Sequence, residues 1–544
     1  MTGGGGYIDV NTLLNELSAR HPAKTFIESI HQGKGISFDE LNRACNRVAH
    51  FLKGRGVRAS DRVTILSENS LEALILFFGV LKHGAAVNPL NVEETGQNIR
   101  HILEDVRPRL VLWQRAAFAE RPDLSAAATG TWIPFGDWDA PDAPEEDLFR
   151  ALRGLPEAPP ASGARADDIG LVDFSSGTSA KPKGVLISHA AYFYMVREVV
   201  ERWEIGPDDR ILEYRAYGWE SPQILSIGSA HHTGATLVLA RKFSQSHFFE
   251  WLQRYRITVS AGVPTVINML LARPVEVGKA DLPHLRFITS STAPLSREKH
   301  EEFERRYGIP IVQGCGMTEA GFMAGNPPGR RRIGSVGLPM PHTALRFVDG
   351  SGRECGPGEE GEMVVSGPKL AAGYVAPQGG MTPIPQDGFP TGDLGYRDAD
   401  GFVHITGRKK DLIIRGGVNV SPMEVTNVLL QHAGVHEAAT VGVPDEIYGE
   451  DVVSFVARRG GARVTAEDLL EHCRGRLAVF KVPKAVILLQ AIPKNDRGKV
   501  AKGELIKLWA QRAPSLLAGV GGQGSVVGEK TDPRPPGHGP PRNG

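Results

Sequence analysis

The stretch Asp173 to Val185, which reads DFSSGTSAKPKGV, places hydroxyls, glycines and two lysines between two apolar runs. Ile169 to Phe174 and Val185 to Ile187 have the composition of short strands, so the polar residues between them are predicted to form a turn that joins two strands. Gly177 and Gly184 would let the backbone approach a ligand, while hydroxyls, amides and a lysine would bind phosphate oxygens. We interpret the stretch as a phosphate-binding loop; a solvated hairpin loop is the alternative for such a composition taken alone.

Size and composition describe an ordinary globular protein. The chain has 544 residues, 41% of them hydrophobic, and 62 basic residues balance 62 acidic ones. This length predicts two or three domains, and the zero balance argues against a general nucleic-acid-binding protein, which would carry a basic excess. The cysteines stand singly, which favours neither a disulfide framework nor a zinc site, and a reducing compartment fits them best. The glycine-rich start predicts no signal peptide, and no apolar run reaches membrane-spanning length, so we expect a cytoplasmic protein.

The N-terminal part alternates predicted helices and strands. Ser37 to Glu40 has capping-box spacing, and the apolar residues that follow it, Cys45 among them, recur on one helical face. Val63 to Leu66 is predicted to be a strand. A helix is predicted to begin at Ser70 and to end at Gly84, with a buried strand directly after it. This alternation with short turns predicts a layered α/β domain with largely parallel strands.

The remaining chain predicts further subdomains. Between Pro141 and Asp168 the residues Pro, Ala, Gly and Glu dominate, which predicts an exposed connection to the phosphate loop. A second α/β stretch is predicted from Val185 to about Ser291, and short alternating strands from Ala344 to Gly407 predict a β-rich subdomain. We therefore predict a large domain over 1–407, a small α+β domain over 408–515 and a disordered Gly/Pro-rich tail over 516–544.

The phosphate loop resembles the Ser/Thr/Gly-rich loop, ending in Pro-Lys-Gly, of the adenylate-forming enzymes: acyl-CoA synthetases, firefly luciferase and the adenylation domains of peptide synthetases. It is not a Walker loop, because the chain returns to a strand and no Gly-Lys-Ser/Thr ends it. Ala180 departs from the family, which usually has glycine there. The resemblance implies that ATP is bound by Ser175, Ser176, Gly177, Thr178, Ser179 and Lys183.

A second segment, Gln313 to Glu319, follows the apolar run Ile309 to Val312 and is predicted to be a flexible turn at a strand end, where α/β proteins bind ligands. By the resemblance, Thr318 contacts the α-phosphate and Glu319 holds magnesium. The alternative is that Glu319 caps a following helix. Cys315 stands at a position that often bears an aromatic residue in relatives. The resemblance adds four further residues to the nucleotide site: Gln313, Gly314, Cys315 and Gly316.

Two further segments resemble nucleotide-binding parts of the family. Ser290 to Pro294 is similar to the turn of small residues that lines the adenine and the acyl group, which implies roles for Ser291, Ala293 and Pro294; an ordinary strand-to-helix turn reads equally well. Thr391 to Asp393 resembles the segment whose aspartate binds the ribose hydroxyls. Asp393 suits that role because an ionised carboxylate accepts two hydrogen bonds.

The last segments lie in the predicted small domain, which the resemblance implies is mobile. After Gly407, the resemblance assigns Arg408 to the ribose or phosphate, Lys410 to the hinge between the domains and Gly417 to close passage of the pantetheine of coenzyme A. A solvated charged face is the alternative for the run 408–411. Pro493 to Lys499 resembles the loop whose lysine reaches the substrate carboxylate and the α-phosphate, so Lys499 is the predicted catalytic lysine.

These matches span roughly 170 to 505 in the family's order. They imply an ATP-dependent carboxylate–CoA ligase that forms an acyl adenylate with ATP and Mg²⁺ and then acylates coenzyme A, in metabolism such as that of fatty acids. The alternatives are a ligase that loads a carrier protein and an inactive nucleotide-binding scaffold. The partners implied are small molecules, with no nucleic acid. Whether the protein forms a homodimer is left open.

The carboxylic acid itself is not readable from the sequence. Relatives often carry a histidine after the aromatic that corresponds to Tyr217, where this chain has Gly218. An apolar pocket of Trp219, Val263 and Met317 is one expectation. The other is that Arg215 and Glu220 admit an acid with a polar second end group.

Overall fold

The protein is described by a computed structural model over residues 6–119, 131–160, 164–175, 182–377, 380–494 and 499–518. Its contacts divide the chain into two compact units. The first comprises Met1–Thr391 and Gly395–Ile405, and the second comprises Gly392–Leu394 and Thr406–Gly544. Within the described residues, no helix is long and apolar enough to cross a membrane.

The strands, in chain order, are β1 Thr25–Ser29, β2 Lys34–Ser37, β3 Arg62–Ser67, β4 Ala86–Asn91, β5 Leu110–Gln114, β6 Thr131–Phe135, β7 Ile169–Ser175, β8 Lys183–Ser188, β9 Arg210–Glu213, β10 Thr236–Leu239, β11 Val259–Ser260, β12 Phe287–Ser290, β13 Ile311–Met317, β14 Gly321–Gly325, β15 Leu338–Pro339, β16 Ala344–Val348, β17 Gly361–Ser366, β18 Gly373–Val375, β19 Met381–Pro383, β20 Phe389–Arg397, β21 Val403–Arg408, β22 Ile413–Arg415, β23 Val418–Val420, β24 Val435–Asp445, β25 Gly449–Arg458 and β26 Ala485–Leu489.

The helices are α1 Val10–Arg20, α2 Phe38–Gly54, α3 Leu71–His83, α4 Gly96–Val106, α5 Arg115–Phe118, α6 Leu148–Leu152, α7 His189–Trp203, α8 Glu220–Pro222, α9 Ser229–Thr233, α10 Phe248–Arg254, α11 Pro264–Ala272, α12 Arg297–Tyr307, α13 Pro422–Leu430, α14 Ala466–Arg474 and α15 Lys502–Ala518. A wider helical turn, Gln223–Gly228, joins α8 to α9. Short tight turns of helix lie at Lys279–Asp281, Lys409–Asp411 and Val479–Lys481.

Two largely parallel sheets form the first unit. One has the strand order β19-β18-β8-β7-β4-β3-β5-β6, and the other has the order β15-β14-β13-β12-β11-β9-β10-β1-β2. Strands β3 to β7 pair in parallel, as do β1, β10, β9, β11, β12 and β13. The carboxyl ends of the parallel strands therefore share one edge within each sheet, as predicted for a layered α/β domain.

Local sequence signals place the helices that pack on these sheets. Ser37 and Glu40 form the predicted capping box at the start of α2, whose apolar face, with Cys45, is buried. Ser70 caps α3 through its side chain, and Gly84 ends it in the left-handed conformation at φ 90°. Because α3 is apolar on all sides, it lies in the largest core of the unit.

Two expectations for this unit are wrong. The connection from 141 to 168 contains α6, whose apolar side chains Leu148, Phe149 and Leu152 are buried in the core, so it is not simply exposed. The residues 313 to 317 are not a flexible turn, because they belong to β13, in which Gly314 to Met317 pair with β14. The element directly after Glu319 is the strand β14, which excludes the helix-cap interpretation.

The β-rich part is the antiparallel sheet β16-β17-β20-β21, as the alternating pattern predicts. The second unit is built on a sheet of order β23-β22-β25-β24, with β26 parallel to β25. Helices α13 and α14 pack around one apolar core of this unit, and α15 packs on another. The helix α15 continues to Ala518, past the predicted domain end at 515, and residues 519–544 of the predicted tail lie outside the described residues.

Candidate active site

The predicted phosphate loop joins β7 to β8, which pair antiparallel up to Ser175 and Lys183. The backbone of Ser175 is in β7, while Ser176, Gly177, Thr178 and Ser179 lie outside the described residues. The exposed Lys183 holds its Nζ 5.5 Å from the centroid of the Tyr374 ring, in cation–π contact.

Gly184 lies where the sheet leaves little room for a side chain. A side chain there would place its Cβ 2.8 Å from Val375 and 2.9 Å from Phe174, so glycine is required by packing within the sheet. Lack of room for a Cβ is therefore one reason for this glycine, and the approach of a ligand to its backbone stays a prediction.

The turn that carries Thr318 and Glu319 links β13 to β14. Glu319 is 8% exposed, and its Oε1 accepts a 2.8 Å hydrogen bond from the hydroxyl of Tyr374. Burial raises the pKa of Tyr374, and the Glu319 carboxylate raises it further, so the tyrosine stays protonated and donates. Thr318 is half-buried beside it. The structure thus presents a hydroxyl and an oriented carboxylate on a tight hairpin.

A buried ion pair contacts the strand β14 of this hairpin. Lys369 and Glu198 are each 1% exposed, and Lys369 Nζ lies 2.5 Å from Glu198 Oε2 and also donates to the carbonyl of Phe322. Two residues further, the backbone N–H of Ala371 donates to the carbonyl of Glu319 at 2.9 Å. The loop that carries Lys369 therefore fixes both ends of the turn.

The predicted adenine turn leaves β12 at Ser290 and leads to α12, as expected for a strand-to-helix turn. Within it, Thr292 has φ 72°, a left-handed conformation that is rare for a β-branched residue and typical of functional sites. Ser291 is buried, Ala293 is half-buried and Pro294 is exposed.

The segment between β9 and α8, which carries Arg215, Gly218 and Trp219 and is called the gate below, is held by its own side chains. Arg215 contacts Glu213 through Nε and Nη2, at 3.0 and 2.7 Å, and donates to Ser221, so the expectation that it receives a second end group is wrong. Gly218 lies so close to the backbone of Pro89 that a Cβ would be 2.9 Å from its carbonyl oxygen, which explains why no histidine stands there. Trp219, Val263 and Met317 are half-buried.

Several buried polar atoms without a hydrogen-bond partner lie on α8, on the wider turn after it, at the end of β12 and on the neighbouring β13. Within the part of the chain that the structure describes, they include Glu220 Oε1, Gln223 Oε1, Ser290 Oγ, Ser291 Oγ and Gln313 Oε1. Gln223 also donates to Asp173 at 3.0 Å, which brings the end of β7 to the same place. Because buried polar groups in folded proteins are nearly always satisfied, such a group of orphaned atoms indicates a ligand site.

Cys315 and Gly316 on β13 are half-buried, and Gly314 is buried. Among the described residues, no group of three His, Cys, Asp or Glu side chains could hold a metal ion alone. A cation at Glu319 would therefore need ligands from a bound molecule.

The second unit carries the remaining predicted residues. Asp393 is buried, and its Oδ1 accepts a 2.7 Å hydrogen bond from Arg408 Nε. Burial raises the pKa of Asp393, against the opposing effect of Arg408. Lys410 is exposed on the turn Lys409–Asp411, which a 2.6 Å ion pair between Asp411 and Lys502 ties to α15.

Gly417 is exposed on the hairpin of β22 and β23, with φ 84°, so its backbone conformation alone favours glycine. Lys499 is half-buried just before α15, and the residues 495–498 that precede it lie outside the described residues. Sequence reasoning missed Tyr374, Glu198 and Lys369. A lysine directly before the apolar run Leu370 to Ala372 was the available signal for a buried charge.

Comparison with known proteins identifies the family. The family model described as AMP-binding enzyme matches residues 14–375, and the model of the AMP-binding enzyme C-terminal domain matches residues 424–499. Sulfoacetate–CoA ligase of Cupriavidus necator is 34% identical over 497 residues, which cover 90% of this chain and 96% of that protein. Indoleacetate–CoA ligase of Aromatoleum aromaticum is 33% identical over 518 residues, which cover 92% and 98% of the two chains.

A solved structure extends the likeness to the fold. ATP-bound MatB from Rhodopseudomonas palustris superposes with a TM-score of 0.83 at 31% identity, over 92% of this chain and 99% of that chain. The family matches confirm the resemblance on which the sequence interpretation depends. The chain belongs to the AMP-binding enzyme family, in its branch of CoA ligases.

Proposed function

We propose that the chain activates a small or medium-sized carboxylic acid with ATP and then transfers its acyl group to coenzyme A. As a member of the CoA ligase branch of its family, it is an AMP-forming acid–thiol ligase. The observation that supports a site in the first unit is the group of orphaned buried polar atoms at the strand edge, beside the Thr318–Glu319 turn. A ligand with many donors and acceptors would satisfy them.

In the first half-reaction, a carboxylate oxygen of the acid attacks the α-phosphorus of ATP in line. The new bond forms as the bond to pyrophosphate breaks, which leaves an acyl adenylate. The hydroxyl of Thr318 and the ammonium of Lys499 would stabilise charge on the phosphate oxygens. Asp393, with Arg408 beside it, would accept hydrogen bonds from the ribose.

Glu319 fits the magnesium ion that the resemblance implies. Mg²⁺ prefers oxygen ligands and is commonly bound by one or two carboxylates together with the phosphates of a substrate, which a single carboxylate beside a hydroxyl provides. When bound there with ATP, the ion would offset the charge of the phosphates. The hydrogen bond from Tyr374 would hold the Glu319 carboxylate in place for it.

In the second half-reaction, the thiol of coenzyme A attacks the carbonyl carbon of the adenylate, AMP leaves and the thiol proton is released. No protein nucleophile is needed, because the mixed anhydride is already activated. We assign the passage of the pantetheine to the exposed turn at Gly417, where φ requires glycine. A cytoplasmic location, a role in fatty acid metabolism and a homodimer belong to the same proposal.

The test is pyrophosphate release with ATP and Mg²⁺ across a panel of aliphatic, aromatic and dicarboxylic acids, with and without coenzyme A. We expect acid-dependent release of pyrophosphate and AMP in equal amounts, and an acyl-CoA product by mass spectrometry. Glu319→Gln should lose most of this activity, while Glu201→Gln, an exposed glutamate on α7, should retain it.

Two outcomes would contradict the proposal in different ways. If pyrophosphate release depends on the acid but coenzyme A does not accelerate it and no thioester forms, the result would favour the carrier-protein ligase. A folded protein that binds ATP and releases no pyrophosphate with any acid would favour the inactive scaffold.

A further inference from the structure

Glu220 is a half-buried acid within the site that the proposed mechanism leaves without a task. It directly follows Trp219 and begins α8, in the segment that leads from β9 along the gate. Its Oε1 is buried and has no hydrogen-bond partner among the described residues. A charged oxygen in such a place is costly, so either the carboxyl is neutral or a ligand contributes a donor.

Its charged neighbours define the electrostatics of the place. Burial raises the pKa of Glu220 well above its usual range, and the carboxylates of Asp173 and Glu319 raise it further. The positive charges of Lys369 and Arg215 oppose this shift only in part. The place is therefore acidic on balance.

The two cations are engaged with other carboxylates. Arg215 Nη2 lies 2.7 Å from Glu213 Oε2, and Lys369 Nζ lies 2.5 Å from Glu198 Oε2. All four side chains are at most 2% exposed. Neither cation is thus available to balance an additional anion near Glu220.

We propose that Glu220 is a specificity-determining residue of the acyl site, whose orphaned Oε1 accepts a hydrogen bond from a donor group on the acid and whose carboxyl disfavours acids with a second anionic group. The favoured substrates are acids that carry a hydroxyl, an amine or a ring N–H besides the reacting carboxylate. The inference rests on the proposed function, since it names the chemistry of the acid that this site adenylates.

Two other roles for Glu220 fit the structure less well. A metal site is not supported, because the described residues contain no group of three metal-binding side chains. A purely structural role would require partners for the carboxyl, and Oε1 has none. A site built to hydrogen-bond a substrate group rejects analogues that lack it much more strongly than a merely apolar pocket does.

The experiment compares two series of matched acids, and each series has a parent acid, a hydroxyl-bearing acid and an acid with a second carboxylate. The aromatic series is benzoate, 4-hydroxybenzoate and terephthalate. The aliphatic series is butanoate, 4-hydroxybutanoate and glutarate. The kcat/KM for pyrophosphate release is measured for the wild type, Glu220→Leu and Glu220→Gln. In the series that the wild type accepts, we expect the hydroxyl-bearing acid to be preferred. Glu220→Leu should reduce that preference by about tenfold or more while sparing the parent acid.

Glu220→Gln keeps the size of the side chain and an accepting oxygen, so it should retain the hydroxyl-bearing acid and raise activity with the dicarboxylate. Glu201→Gln on α7 serves as the matched control and should change no preference. Melting temperatures establish that each variant is folded; if Glu220→Leu does not fold, the dicarboxylate-to-parent ratio of Glu220→Gln decides.

Equal losses for all acids in both variants, with the order of preference kept, would overturn the assignment of Glu220 and leave the ligase activity standing. A wild-type protein that releases pyrophosphate with none of the acids, in this panel or in the wider one, would overturn the proposed function and this assignment with it.

Discussion

At the scale of single residues, the contact between Tyr374 and Glu319 shows what sequence reasoning reaches and what it misses. Glu319 stands in a recognisable segment, whereas Tyr374 lies 55 residues further along the chain and carries no local signal. The two meet because β18, which contains Tyr374, pairs with β8 beside the phosphate loop. A positioning partner of this kind depends on sheet topology, which a linear pattern does not specify.

Replacement of Tyr374 by phenylalanine should therefore weaken the site without unfolding it. The variant loses the 2.8 Å hydrogen bond to the carboxylate, and a hydrogen bond to a charged group contributes about 1.5–3 kcal/mol. We expect kcat/KM for acid-dependent pyrophosphate release to fall about tenfold to a hundredfold, and the half-saturating Mg²⁺ concentration to rise. Tyr194→Phe, on α7, is the matched control. Unchanged Mg²⁺ dependence would show that Tyr374 does not position Glu319.

At the scale of elements, glycine is the source of the main error. Gly314 and Gly316 suggested a turn, yet they lie in β13 because β14 passes closely: a Cβ at Gly316 would be 2.5 Å from the carbonyl oxygen of Gly321. Elements defined by periodicity and caps, such as α2 and α3, were predictable from local sequence. Strands that need glycine for close packing were not, because their signal is the same as that of a loop.

The packing of α9 on α3 makes the first unit sensitive to acid. The ring of His231 is buried and stacks on Phe78, with centroids 4.9 Å apart. Burial, together with the charges of His232 and Lys82, lowers the pKa of His231 to about 3. Below pH 6.5 the unfolded chain binds a proton that the folded chain does not, so His231 should cost stability as the pH falls from about 6.5 toward 3, by up to about 1.4 kcal/mol per pH unit.

Replacement of His231 by phenylalanine should keep the stacking and remove this dependence. We expect denaturant unfolding to show a smaller loss of the free energy of unfolding between pH 6.5 and 4.5 in the variant than in the wild type. His284→Phe, a histidine outside this core, is the control. The same slope in wild type and His231→Phe would show that other groups cause the acid sensitivity.

At the scale of the whole molecule, the order of segments was more informative than any one of them. The predicted segments were recognised by their order along the chain, from the phosphate loop to Lys499, and the matches over 14–375 and 424–499 confirm the family that this order indicated. The roles of the individual residues stay predictions. The identity of the acid was not predictable from the sequence. The sequence does not show the partner of Arg215, and the fold pairs this arginine with Glu213, so it does not receive the acid.

The hinge at Lys410 is a prediction about motion between the two units. Lys410 lies on the turn Lys409–Asp411 that follows β21, and Lys410→Pro would fix φ near −65°. If φ and ψ change there between the two half-reactions, the variant should keep one half-reaction and lose much of the other. Lys410→Ala removes the charge and leaves the backbone free, so it should keep both. Full overall activity in Lys410→Pro would rule out this hinge.

Lys499 allows the sharpest test, because the two half-reactions make different demands on it. The lysine lies in the second unit, just before α15, and its predicted partner is the α-phosphate during adenylation. An ammonium aimed at charge that develops during transfer contributes a factor on the order of 10² to 10³ in rate. We therefore expect Lys499→Ala to lose acid-dependent pyrophosphate release by about that factor, yet to convert supplied acyl adenylate and coenzyme A to the thioester near the normal rate.

Lys494→Ala is the matched control, because Lys494 is a neighbouring lysine whose Nζ forms a 2.5 Å ion pair with Glu437. A surface ion pair contributes under about 1 kcal/mol, so the control should slow neither step much. Equal damage to both steps in Lys499→Ala, or an unaffected first step, would remove Lys499 from the adenylation reaction.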